Sequence, residues 1–299
     1  MVMDQVTVFF EGLGLPRMTW NKLAFTLFDR VICSWASLVG FLGVLAGLIF
    51  ALRRGKKRER IAPADLFEVV LFGLFGARVL YMLRDFGILG SFFTDDVLLV
   101  ASILLSVLLS LLVCSLLRIR PQKAADAIAP AILLGLCIGV FGALLAGDPD
   151  SAWMRNTTAL ELFGKTVTFP SGEGTVWYIL RMGLYPNNAF TEYMIFVHPL
   201  FLYASVWCLL GFLVLLPVAR HKAFDGQVFL VGLIWFSAGT VFLSGLSTAA
   251  IASTVQWLAA ILVFLGTARL ILLGVAYHRA RKRLEAGLLV IVRGDSAVQ

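Results

Sequence analysis

The chain has 299 residues, of which 60% are hydrophobic and 14% charged, with a mean hydropathy of +0.92 and a formal net charge of +7. A soluble domain is nearer to about a quarter charged, and the apolar runs are continuous rather than alternating, so a soluble globule and a strand barrel are both excluded. Lys and Arg stand at the ends of apolar segments, which assigns the positive charge to membrane topology and anionic headgroups; no nucleic-acid partner is expected.

Residues 1–30 open on "MVMDQVTVFFEGLG", with an acidic start, no basic n-region and no small-residue cleavage site. This segment is expected to stay attached and to lie at the membrane surface. Seven runs long enough to cross a hydrocarbon core of about 30 Å as helices follow. They cover about 31–52, 64–83, 96–117, 125–147, 196–218, 226–247 and 254–277. The fold class is all-α: a polytopic membrane protein of seven transmembrane helices (31–277) with a small extracytoplasmic loop subdomain (148–195) and a basic tail (278–299).

The connections alternate in charge. "RRGKKRER" (53–60), "RIRPQK" (118–123), "ARHK" (219–222) and "HRARKR" (278–283) follow the odd-numbered runs. Basic loops stay on the cytoplasmic side, which puts the N-terminus outside and the C-terminus inside. The long connection 148–195 is then an outer cap, where "TVTFPSGEGTVWY" reads as a hairpin. Gly135, Gly139, Gly142 and Gly147 in the fourth run, and Gly73 and Gly76 in the second, permit close helix packing. Cys33, Cys114, Cys137 and Cys208 fall in apolar surroundings without a CxxC pair, so neither a disulfide framework nor a metal site is expected. No cofactor is implied.

Some polar residues stand out in this apolar setting. Arg78 lies in the outer half of the second run with Tyr81 one turn on. It either snorkels to the outer headgroups or faces the bundle interior to hold a lipid phosphate. His198 precedes Pro199 at the outer start of the fifth run, with Tyr203 a turn and a half later. Pro199 suits a first helical position and His198 an N-cap, where the helix dipole disfavours an added proton. His198 and Tyr203 are either interfacial residues or part of a polar cluster with Arg78, Tyr81 and Asp148, which ends the fourth run.

These residues, in this order, resemble the prolipoprotein diacylglyceryl transferase family. "ADLFEVVLFGLFGARVLYML" (64–83) is similar to that family's second span, with Arg78 and Tyr81 on its Arg and Tyr. "APAILLGLCIGVFGALLAGD" (129–148) is similar to its signature Gly-Arg-x-Gly-Asn-Phe-x-Asn-Gly-Glu, with Gly139, Gly142 and Gly147 on the glycines and Asp148 on the Glu. "HPLFLYA" (198–204) is similar to His-Pro-x-x-Leu-Tyr-Glu, and 225–247 to the sixth span. The departures are specific. The signature Arg is Val140 here, and its Asn positions are Ala143 and Ala146. The third span lacks the His-Gly-Gly. The sixth-span Arg and Glu fall near Gly239 and Leu243, and the Glu after Tyr203 is Ala204.

The resemblance implies transfer of a diacylglyceryl group from phosphatidylglycerol to a lipobox cysteine thiol, with release of glycerol phosphate. His198 would be the catalytic base. Arg78, Tyr81, Gly142, Asp148 and Tyr203 would bind substrate, with Arg155 or Arg181 as substitute cations from the outer loop. The partners implied are phosphatidylglycerol or another anionic phospholipid, and a lipobox peptide if the chain is active. The alternative is a non-catalytic member of the same fold that binds lipid or a membrane-protein partner. A small-molecule transporter is a third reading, opposed by the lack of repeat symmetry and of buried charge.

Overall fold

The computed structural model describes residues 5–27, 30–86, 95–147, 154–155, 159–163, 165–168, 175–186, 195–246 and 252–295. Four strands come first: β1 (Gln5–Phe9), β2 (Met18–Asn21), β3 (Leu23–Leu27) and β4 (Arg30–Ser34). Helix α1 (Trp35–Arg54) starts on Ser34, whose hydroxyl and that of Ser37 cap each other's backbone N–H groups. A π-helical turn (Gly55–Glu59) ends it. Then come α2 (Pro63–Asp85), α3 (Asp95–Leu116), α4 (Pro121–Gly139) and the short α5 (Gly142–Ala146). Both α2 and α4 open on a proline, whose missing N–H costs nothing in a first turn.

Beyond them lie β5 (Met154–Arg155), the hairpin β6 (Ala159–Leu162) with β7 (Lys165–Thr168), the short α6 (Val176–Leu180), β8 (Met182–Pro186) and β9 (Ile195–Pro199). Helices α7 (Leu200–Arg220), α8 (Gln227–Gly245) and α9 (Ala252–Asp295) complete the chain. Six helical segments among the described residues are long and apolar enough to cross a membrane, and Ala101–Leu116 of α3 is a further apolar stretch. The chain is thus an all-α polytopic membrane protein.

Three features differ from the sequence reading. The N-terminal segment is built into a sheet of order β2-β1-β8-β9-β5, in which β1 pairs antiparallel with both β2 and β8. The hairpin in the long connection uses β7, but its partner is the upstream β6, and 176–180 is helical. Helix α7 starts at Leu200 with Pro199 as its cap, because β9 pairs with β5 through His198 and Pro199 and keeps the chain extended there.

Inside the bundle, α4 packs against α1, α7 and α8. Residues Gly43 and Gly135 let α1 and α4 touch backbone to backbone: a Cβ on Gly43 would lie 2.5 Å from the Gly135 carbonyl oxygen. Helices α2 and α3 pack chiefly on each other, where the Ser106 hydroxyl donates to the Gly73 carbonyl at 2.7 Å.

The end of the bundle that bears the basic turns is closed by a buried ionic cluster. Asp126 of α4 is fully buried. Its carboxylate accepts from the N–H of Gly226 at 2.8 Å and of Phe229 at 2.9 Å, and from Lys222 Nζ at 3.2 Å. The N–H of Phe229 lies in the first turn of α8, where no intrahelical partner exists, so Asp126 caps α8 from another helix. Gly226 takes φ +93°, which a glycine adopts without strain. Lys222 also meets Glu59 at 2.5 Å and Asp225 at 3.2 Å, and Arg54 Nε donates to the Asp126 carbonyl at 3.3 Å. Partial burial opposes the Lys222 charge. The hydrogen bond to Glu59 and the charge of Asp126 outweigh it and raise the ammonium pKa.

Asp126→Ala is expected to destabilise the protein by about 3–5 kcal/mol, the range for a buried pair that loses one partner. Asp126→Asn keeps one acceptor and should cost less. Denaturant unfolding in detergent micelles checks the ranking.

Candidate lipid site at the sheet end of the bundle

The five-stranded sheet lies over the helix ends opposite the basic turns, as the chain path requires, since β9 runs directly into α7. It is fastened by contacts from far along the chain. The Trp20 indole donates to the Leu145 carbonyl at 3.2 Å. Arg181 meets Glu11 at 2.6 Å and lies over the rings of Tyr178 and Phe196, at 3.9 and 4.2 Å from their centroids.

Beneath the sheet, Val6 and Val8 of β1, Leu184 of β8 and Val197 of β9 pack on Phe201 and Ala204 of α7 and on Val140 at the end of α4. Ala143 and Leu243 pack against the same cluster. Val140 and Ala143 at the α4–α5 junction, Ala204 of α7 and Leu243 of α8 belong to three separate stretches of chain. The structure gathers all four into one apolar core.

A neighbouring arrangement seals the space between α7 and α8. Trp207 and Trp235 stack at 4.7 Å between centroids, and each indole N–H donates to the other's carbonyl at 3.0 Å. A side chain at Gly239 would overlap the Trp207 indole.

A cavity of about 620 Å³ runs between α1 and α4, with Val70 and Leu74 of α2 on its far side. It extends from Ala51 to Ala36 along α1, about 22 Å at 1.5 Å per residue. Glycines and alanines line most of it, and Val140, Gly142 and Ala143 are at its sheet end. A groove this long and apolar suits an acyl chain.

The candidate residues are distributed as follows. His198 is buried in β9 opposite Arg155 of β5. Burial lowers its pKa, so the neutral imidazole is favoured. Tyr203 lies in the first turn of α7, half-buried against Leu200 and Leu246, and its enclosed hydroxyl has no hydrogen-bond partner among the described residues. Arg78 is exposed on α2 and Tyr81 is half-buried there. Neither lines this cavity. Gly142 is buried against the carbonyl of Ala36. Asp148 lies outside the described residues. Arg181 is held by Glu11, and the backbone of Arg155 is paired in β5.

Sequence reasoning missed the cluster of Asp126, Glu59 and Lys222. The available signal was an acid inside a predicted span, facing loops rich in base.

The family model for prolipoprotein diacylglyceryl transferase matches residues 22–272. The chain is 24% identical over 286 residues to the phosphatidylglycerol–prolipoprotein diacylglyceryl transferase of Staphylococcus haemolyticus, covering 85% of this chain and 89% of that protein. It is 27% identical over 240 residues to the protein of that name from Bacillus licheniformis (76% and 81% covered), and 25% over 224 residues to the one from Listeria innocua (72% and 74%). The match runs from the last two of the N-terminal strands through nearly all of the apolar bundle, and on that extent the chain belongs to the prolipoprotein diacylglyceryl transferase family.

Proposed function

We propose that this chain keeps the family's scaffold for phosphatidylglycerol, or another anionic phospholipid, and binds it without transferring the diacylglyceryl group. The single observation that carries this reading is the apolar core around Val140, Ala143, Ala204 and Leu243. The resemblance puts an Arg, an Asn and two Glu of the family at or near those positions. Transfer to a thiol with a pKa near 8.5 needs a base or a cationic setting, and a departing phosphate needs positive charge as its own charge develops. Packed valine, alanine and leucine supply neither. Gly239, near the place of a further family Arg, is covered by Trp207. The acyl-chain groove between α1 and α4 persists, and its sheet end reaches Val140.

Binding uses what is left. An acyl chain lies along α1 and α4, and Arg78, one turn beyond Leu74 of the cavity wall, offers a cation to the phosphate from α2.

The second reading is a working transferase that also takes a lipobox peptide. His198 favours it: a buried histidine held in its neutral form can accept a thiol proton near neutral pH. Under this reading Arg78→Ala and His198→Ala each abolish transfer while the protein stays folded.

Purified protein with phosphatidylglycerol and a lipobox peptide decides between the two. No thioether-linked product from the unaltered chain is the expected result. Complementation of transferase-depleted cells by that chain would sink the non-catalytic reading. Val140→Arg with Ala143→Asn should not restore transfer, because the third- and sixth-span groups are also missing. It should lower stability, since an unpaired cation enters an apolar core.

The His198 shift has its own consequence. Its folded pKa lies below the unfolded value of about 6.5, so the unfolded chain takes up the proton first as pH falls. Stability is then full above that value and declines below it. Unfolding midpoints at pH 7.5 and 5.5 should differ less in His198→Gln than in the unaltered protein.

We infer from the positive-inside rule and the family that the basic turns face the cytoplasm of a bacterial cell and the sheet end faces the outer side of its inner membrane. In a chain whose four native cysteines are replaced by serine, a cysteine introduced by Lys165→Cys should react with an impermeant maleimide on intact spheroplasts. Reaction only in inverted vesicles would reverse this orientation.

A further inference from the structure

A second cavity, of about 790 Å³, opens on the other side of α2, between the α2–α3 pair and helices α4, α8 and α9. Its walls are residues 69–77 of α2, 106–114 of α3, 121–132 of α4, 224–233 leading into α8, and 262–273 of α9. The ranges on α3, α4 and α8 lie toward the ends of those helices nearest the basic turns, and those on α2 and α9 cross the middle of their spanning segments. Residues 262–273 span about 16 Å at 1.5 Å per residue, close to half of a hydrocarbon core of about 30 Å. The cavity is therefore about one leaflet deep, and a volume of this size falls in the usual range for ligand pockets, about 300–1,000 Å³.

The Ser106 and Ser110 hydroxyls of the lining are spent on the Gly73 and Val69 carbonyls of α2. Gln122, Asp225 and Arg269 line the mouth near the basic turns, and Leu74, Val107 and Leu262 lie deeper. Among the described residues no carboxylate lies within ion-pair distance of Arg269. Asp225, the acidic residue of the lining, is 3.2 Å from Lys222 and 3.9 Å from Arg120, so its charge is balanced within the protein. The guanidinium of Arg269 is left for a ligand.

We propose that this cleft holds one phospholipid of the leaflet that borders the basic turns, with an acyl chain between α2 and α9 and its anionic phosphodiester on Arg269. A partner's spanning helix suits it less, since the cleft stops at Ala77 and Ser106, partway along α2 and α3. The site lies at the opposite end of the bundle from His198, so it stands whether or not the sheet end transfers lipid. Its occupant fills the gap that the loosely seated α2–α3 pair leaves against α8 and α9, and joins the two.

The test uses the full chain in phosphatidylcholine vesicles containing a small fraction of phosphatidylglycerol with a photoreactive acyl chain, followed by peptide mapping. Adducts should concentrate on the peptides carrying 69–77 and 262–273. Arg269→Gln should lower their yield about tenfold or more at limiting probe, as loss of a charge-assisted hydrogen bond implies. Ala125→Phe, which fills the cleft from α4, should lower it as well, and it serves if the Arg269 variant does not fold. Equal labelling by a photoreactive phosphatidylcholine would overturn the anionic assignment. Adducts spread evenly over the lipid-facing helices and unchanged in both variants, or chain-to-chain cross-links at these peptides, would overturn the site.

Discussion

One buried carboxylate organises the end of the bundle where the basic turns meet. Asp126 caps the first turn of α8 from α4, holds Lys222 and, through its own carbonyl, receives Arg54 at the end of α1. An ionised carboxylate without water is tolerated only when its lone pairs are filled, and two backbone N–H groups and an ammonium fill them here. The position of α4 follows, and α1, α7 and α8 pack on α4. Both cavities border α2 and α4, one along the α1–α4 contact and the other toward α3, α8 and α9. The ionic lock and the lipid-sized gaps are thus parts of one arrangement: a core fixed by charge and backbone contact, with a helix pair seated more loosely beside it.

The opposite end is held by different physics. Strands from the N-terminal segment and from the long connection form one sheet, and its apolar face closes over the helix ends. Valine, methionine and leucine from β1, β8 and β9 are buried there. The Trp207–Trp235 pair gives the same result between α7 and α8, where reciprocal indole-to-carbonyl bonds satisfy both N–H groups without charge.

Much of the helical plan was legible. The run read as 64–83 is α2 at Pro63–Asp85, and that read as 96–117 is α3 at Asp95–Leu116, because a hydrocarbon core imposes length and composition on any crossing helix. Strands were harder to read. The β1 sequence "QVTVF" alternates as a strand should, yet its partners are "MTWN" and "MGLYP", the latter from far along the chain. No local pattern selects such partners. His198 shows the same limit on a smaller scale: His-Pro before an apolar run suggests a helix cap, while pairing with Arg155 extends the strand through it.

The amino-acid sequence by itself determined the membrane class, the order of the spans, their alternation of charge and the family resemblance, since each rests on composition or on residues close in the chain. Only the tertiary structure decided that Val140, Ala143, Ala204 and Leu243 share one apolar core. It also decided that Asp126 serves α8 and that Arg269 stands at the mouth of a cleft. These facts depend on side chains from distant segments meeting at contact distance. Burial and hydrogen bonding act at that range, and a linear pattern does not encode it.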